Sequence, residues 1–182
     1  MSSRDYHRQL SLEAFQQAHR QAMHARLWDK LTRRPSQTLL PFEPIRAQLP
    51  RQSGVERRAQ TIPLAQIAGS LDRWQEFDRD FRPLSKSLRD RWIGIAQLSQ
   101  DAGWPPIRVH QLGNLYFVED GHHRVSVARQ LGFADIEAIV TEYPLPLAFD
   151  PHASLGEILE EIDRWKRDPV PLSSGVFIST CY

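Results

Sequence analysis

The sequence predicts an α+β domain: a small mixed β-sheet with packed helices, carrying an N-terminal α-helical extension. Three observations predict it. Helical periods alternate with only a few short strand patterns between Gln60 and Thr141. One connection, Gln111-Leu-Gly-Asn114, has the length and composition of a hairpin turn, so one strand pair is antiparallel. The first 59 residues hold a long helical period and a polar stretch but no strand pattern. Few strands, interleaved helices and a hairpin argue against a doubly wound parallel sheet.

The elements follow in order. From Leu10 to Arg34 there is neither Gly nor Pro, and Leu12, Phe15, His19, Met23, Leu27 and Leu31 recur at steps of three or four, with Ala22 and Trp28 beside them. That spacing predicts an amphipathic helix beginning near Ser11 and stopped by Pro35. Phe42, Ile45 and Leu49 mark a short helix over Glu43–Leu49, closed by Pro50. Residues 51–59 read as a polar linker. Thr61-Ile62 and Leu64–Ile67 read as a strand or a strand and turn. Leu71–Phe81, rich in aromatics and charges, reads as a surface loop or short helix. Lys86–Ala102 is a helix with Leu88, Trp92, Ile95 and Leu98 or Ser99 inward, and Gly103 ends it.

Ile107–His110 and Leu115–Val118 are the hairpin strands, Glu119-Asp120-Gly121 a turn, and His122–Leu131 a helix ended by Gly132. Ile136–Thr141 alternates apolar residues at 136, 138 and 140, a strand. Leu155–Arg167 is a final amphipathic helix with Leu155, Ile158, Leu159, Ile162 and Trp165 inward. Val176–Thr180 offers an edge strand. The predicted organisation is a basic helical leader and linker over 1–59, a central domain over 60–143, and a helix and tail over 144–182.

Composition narrows the class. Apolar residues make up 41% of 182, enough for a packed core without staples. No apolar run approaches the ~20 residues that span a bilayer. The opening Met-Ser-Ser-Arg-Asp-Tyr-His lacks an apolar signal core, so a cytoplasmic location and no membrane partner are expected. Cys181 is the one cysteine, which excludes an internal disulfide and a Cys-based zinc site. The net charge of +1 hides an asymmetry: residues 1–59 carry 11 Lys/Arg against 5 Asp/Glu, and residues 60–182 carry 12 against 17. A basic front fits a nucleic-acid partner or attraction to the chain's own acidic body.

The chemistry concentrates in Val118-Glu-Asp-Gly-His-His-Arg-Val-Ser-Val-Ala128. A strand feeds a turn at Gly121, where a glycine lets the backbone pass close to a ligand. The helix behind it presents free N–H groups and the positive end of its dipole, which together favour an anion. Arg124, one turn in, carries a planar fork suited to phosphate oxygens. His122 and His123 supply donors or, near neutral pH, a proton. An alternative stands beside this: Asp120 serves as an N-cap and the three following residues form an ordinary first turn. Adjacent helical histidines diverge by about 100°, and no third ligand lies at a familiar spacing, so no metal site is expected.

The segments Trp104-Pro-Pro-Ile-Arg-Val109, Tyr116–Gly132 and Ile136-Glu-Ala-Ile-Val140 together resemble the ParB/sulfiredoxin superfamily over roughly residues 60–142. The likeness is strongest to small bacterial proteins of the ParB-like kind with a basic helical leader, and the Leu39-Leu-Pro-Phe-Glu-Pro-Ile-Arg46 segment also resembles theirs. In sulfiredoxins the turn reads Gly-Gly-Cys-His-Arg, and His122 stands at the nucleophilic cysteine. The resemblance therefore implies a phosphate site without reductase chemistry. In partition ParB proteins the turn reads Gly-Glu-Arg-Arg and binds CTP; Gly121 and Arg124 match, but the residues after this region carry one clear helical pattern, so a partition role is not expected. Asp120-Gly-His-His-Arg124 is similar to the turn of the archaeal free-serine kinase, which implies phosphoryl transfer.

Two functions from different classes follow. In the first, a nucleotide (ATP, ADP or CTP, with Mg²⁺) binds through Gly121, His122, His123, Arg124 and Arg108, with Arg124 the main clamp and Trp104 and Tyr116 shaping the pocket. Glu119, Asp120 and His122 are then the candidate catalytic groups of a phosphotransferase or NTPase, with Asp72, Asp78 and Asp80 as further carboxylates. In the second, the chain is a nucleic-acid-binding or regulatory adaptor without catalysis, held on phosphate backbones by Arg4, Arg8, Arg20, Arg26, Lys30, Arg33 and Arg34. A homodimer through the leader helix is compatible with either.

Overall fold

The computed structural model of the chain describes residues 3–33, 38–49, 54–101 and 103–168. The expected edge strand at 176–180, Cys181, Arg34 and the first part of the 51–59 stretch lie outside them.

The leader is one long helix, α1 (Ser3–Leu31), beginning about two turns earlier than its apolar period predicts. Ser11 sits inside it, its hydroxyl donating to the His7 carbonyl at 2.9 Å rather than capping an end. The face turned to the protein is Ser11, Phe15, Ala18 and Ala22, all buried. The predicted stripe is thus corrected at its C-terminal half, where Leu27, Trp28 and Leu31 stay exposed. Small residues at 18 and 22 bring the helix close to its neighbour, whereas Trp28 beyond them only borders an open pocket shared with Asp78, Arg79 and Leu84.

Helix α2 (Phe42–Arg46) follows strand β1 (Leu40–Pro41) and buries Phe42 and Ile45. The stretch read as a linker contains a strand, β2 (Val55–Glu56), whose residues are both exposed. An edge strand of this kind carries no apolar alternation, so only its partner reveals it. Then come β3 (Gln60–Pro63), a 3₁₀ turn at Leu64–Gln66 and β4 (Ile67–Ser70). After a long loop, a 3₁₀ turn at Lys86–Leu88 leads into α3 (Arg89–Asp101). The hairpin is β5 (Ile107–Leu112) and β6 (Leu115–Asp120), followed by α4 (His122–Gln130), β7 (Asp135–Tyr143) and α5 (Leu155–Arg167). A capping box starts α5: Ser154 Oγ accepts from the Glu157 amide at 3.3 Å, and the Glu157 carboxylate accepts from the Ser154 amide at 2.7 Å.

The strands form one mixed sheet in the order β1-β4-β6-β5-β7-β2, with β3 also on β7. β1/β4, β4/β6 and β5/β7 are parallel; β5/β6, β2/β7 and β3/β7 are antiparallel. The chain is therefore α+β, with a sheet wider than the sequence pattern indicates because two of its strands have only two residues. One face packs against α4 through Ile107, Val109, Val118, Val125 and Ala128. The other packs against α2 and α5 through Phe42, Ile45, Phe117, Ile158 and Ile162. α1 rests on α3 and α4, with the Phe15 ring edge-on to Trp92 at 5.7 Å.

The loop after β4 does more than cover the surface. Phe77 and Phe81 are fully buried and join the main core. Asp78 holds the turn that drives them inward: Oδ1 accepts from the amides of Asp80 (3.0 Å) and Arg82 (2.8 Å), and Oδ2 accepts from Arg82 Nε at 2.9 Å. The turn also holds Phe81 at a φ of 59°.

Candidate functional site

Strand β6 runs two residues further than expected, so Glu119 and Asp120 are its last residues and Gly121 alone links it to α4. Alternation along the strand sends the two carboxylates to opposite faces. Glu119 turns away from α4, toward Arg108 (3.6 Å) and His110 (3.3 Å). Asp120 turns toward Arg124. This separates the two expected catalytic carboxylates, and Glu119 contributes only to the rim of the cavity described below.

Gly121 has a φ of 106°, in the left-handed region that favours glycine. A Cβ built there would meet Ile107 Cγ2 at 2.4 Å and Arg124 Cζ at 3.2 Å. The close approach expected toward a ligand is therefore an approach to the protein's own β5 and α4. No side chain caps α4, so its first amides face outward without a side-chain acceptor. The N-cap role considered for Asp120 is not the one it takes.

Arg124 is also placed differently from the expected clamp. It is buried, and both terminal nitrogens are committed: Nη1 donates to the carbonyls of Pro105 (2.6 Å) and Pro106 (3.0 Å), and Nη2 to Asp120 Oδ2 (2.5 Å). A guanidinium with five donors satisfies two carbonyls at the start of β5 that have no strand partner to serve them. Arg124 ties the Trp104–Pro106 segment to α4 and builds the wall of the site.

The two histidines are buried, at 4% and 5% exposure. His122 Nε2 lies 2.7 Å from Ser70 Oγ, which also accepts from the Arg73 amide at 3.0 Å. Phe77 stacks on His122 and meets His123 edge-on at 5.5 Å. His123 Nε2 has no hydrogen-bond partner. Desolvation pushes both imidazoles down to about 4; Asp72 counters it at His122, and Arg91 and Arg73 reinforce it at His123. Both are neutral near pH 7, which corrects the expectation that they carry a proton to chemistry there.

These residues border an open cavity of about 440 Å³. Its polar lining is Asp72, Arg73, Arg91, Glu119, Asp120 and the 121–124 turn; its apolar lining is Ile95, Leu98, Trp104 and Pro105. Arg91, on α3, is exposed and makes no hydrogen bond or ion pair among the described residues. Arg73 reaches only a part-exposed Glu76 at 3.3 Å. Sequence reading missed both arginines and Ser70, since each is an ordinary residue until the fold brings β4, α3 and α4 together.

The other expected residues fall outside. Arg108 lies on the opposite face of the hairpin, paired with Glu56 at 2.5 Å. Tyr116 is in the core. Asp78 is consumed by its turn and Asp80 pairs with Arg82, which leaves Asp72 as the loop carboxylate at the cavity, 3.9 Å from His122 Nε2. Among the described residues no three His, Cys, Asp or Glu side chains are placed to hold a metal ion, and no helix is long and apolar enough to cross a membrane.

No family model matches the chain, and no curated protein matches it. Among solved structures it is similar to sulfiredoxin from Arabidopsis thaliana, at 19% identity and a TM-score of 0.37, over 48% of this chain and 88% of that one. The likeness is distant and transfers no residue role to this protein.

Proposed function

We propose that the chain binds the phosphate groups of a nucleotide in the cavity where β6 meets α4. The observation that carries this reading is the uncapped start of α4 opening onto a 440 Å³ space bordered by two arginines, Arg73 and Arg91, and a buried, unpartnered His123. Amide donors and a helix dipole favour an anion, and a guanidinium with no carboxylate of its own is available to one. Ile95, Leu98 and Trp104 give the same space an apolar side for a base or ribose.

In this reading Arg91 and Arg73 clamp the phosphates, and Arg124 holds the wall in place. Mg²⁺ would enter on the phosphates, because no three His, Cys, Asp or Glu side chains among the described residues are placed to hold it. Asp72 and Asp120 are the carboxylates from which an acceptor hydroxyl would be oriented if phosphoryl transfer follows binding.

The test is a thermal-shift and calorimetry panel of ATP, ADP, CTP, GTP and pyrophosphate, each with and without Mg²⁺. A ligand that binds the native state raises its melting temperature. Arg91→Ala should weaken the best ligand by roughly 1.5–3 kcal/mol, the loss of a charged hydrogen bond, while leaving the unliganded melting temperature unchanged. Equal affinity in wild type and in Arg91→Ala/Arg73→Ala, or no response to any of the five, refutes the reading.

A further inference from the structure

Five of the nine large apolar side chains exposed among the described residues lie on α1: Tyr6, Leu10, Leu27, Trp28 and Leu31. They avoid the side packed on the body, where Phe15, Ala18 and Ala22 are buried. At 100° per residue the two sets point about half a helical turn apart. Tyr6 and Leu10 open one end of the outward face, and Leu27 and Leu31 close the other. Between them Glu13, Gln17, Arg20 and His24 continue the same line, all exposed. Every step along it is four or three residues, the spacing of a coiled-coil seam.

We propose that this face of α1 pairs with the same face of a second copy of the chain, in an antiparallel two-fold arrangement. The order of residues along the seam selects both the occupant and the direction. Run against itself in reverse, the seam places Tyr6 beside Leu31, Leu10 beside Leu27, Glu13 beside His24, and Gln17 beside Arg20. Apolar layers close both ends, and the carboxylate of Glu13 meets an imidazole, one layer from a guanidinium. Run parallel, the seam sets Glu13 on Glu13 and Arg20 on Arg20, like charges in contact. The two-fold operation makes each contact occur twice, so each match counts double. The pairing uses no residue that lines the β6–α4 cavity and does not rest on nucleotide binding.

Sedimentation equilibrium on the full chain over a dilution series tests it. The expected mass approaches twice the 21.1 kDa of one chain. Glu13→Arg should raise the dissociation constant at least tenfold, and adding His24→Glu to it should restore association. Leu10→Asp/Leu27→Asp should give monomers; all these positions are exposed, so circular dichroism should report an unchanged fold. Direction is read with a spin label at Arg8→Cys in a Cys181→Ser background: an antiparallel pair separates the two labels by about 31 Å along the helix axis. Monomers at every concentration overturn the proposal. So does a dimer that survives Leu10→Asp/Leu27→Asp, or one whose labels lie side by side.

Discussion

Lowering the pH from 7 to 5 should destabilise this protein mainly through His122 and His123. Both imidazoles are buried beside Phe77, and desolvation holds each at about 4 in the folded chain, against about 6.5 when unfolded. A folded value below the unfolded one means that the unfolded chain binds more protons between the two. Stability is therefore complete above about pH 6.5 and is lost as pH falls toward 4. Between pH 7 and 5 each histidine accounts for about 2 kcal/mol of that loss. His110, also pushed down by burial, adds in the same direction, and Asp78, whose carboxyl burial raises, acts in the opposite one. A difference measurement isolates the site: urea denaturation of wild type and His123→Phe at pH 7, 6 and 5. Phenylalanine fills the same space beside Phe77 and leaves no unpartnered nitrogen, so the variant should be equal to or more stable than wild type at pH 5 and lose about 2 kcal/mol less on acidification. Parallel pH profiles for the two proteins would show that His123 is not held neutral by its surroundings, and the reasoning would fail.

Three further outcomes are expected. Ser70→Ala removes the partner of His122 Nε2 and the acceptor of the Arg73 amide, and should cost about 1–3 kcal/mol in urea denaturation. Arg124→Lys should destabilise the unliganded protein by about 2–3 kcal/mol, because one ammonium cannot serve Pro105, Pro106 and Asp120 in the fork geometry; an unchanged melting temperature would return Arg124 to the role of a ligand clamp. Gly121→Ala should cost about 1–3 kcal/mol from its backbone conformation alone, and more from overlap with Ile107, read as a lowered melting temperature.

The sequence alone determined the class of this fold and the position of its centre. The alternation at Ile136, Ala138 and Val140, the hairpin glycine, and the helix between Gly121 and Gly132 are local signals. Each acts within a few residues, so each can be read without knowing what lies across from it. The turn at 120–124 was legible as the place where chemistry gathers for the same reason. Only the tertiary structure decided what those residues do there. Arg124 became a strut because two carbonyls from Pro105 and Pro106 arrive beside it, and the histidines became neutral because Phe77 and Ser70 enclose them. Arg73 and Arg91 became the available cations because β4 and α3 converge on α4. Burial, pairing and charge state depend on neighbours distant in sequence, and no local pattern encodes those distances. The same holds for α1: its periodicity announced a helix, but only the packed body shows which of its apolar residues are buried and which stay exposed among the described residues.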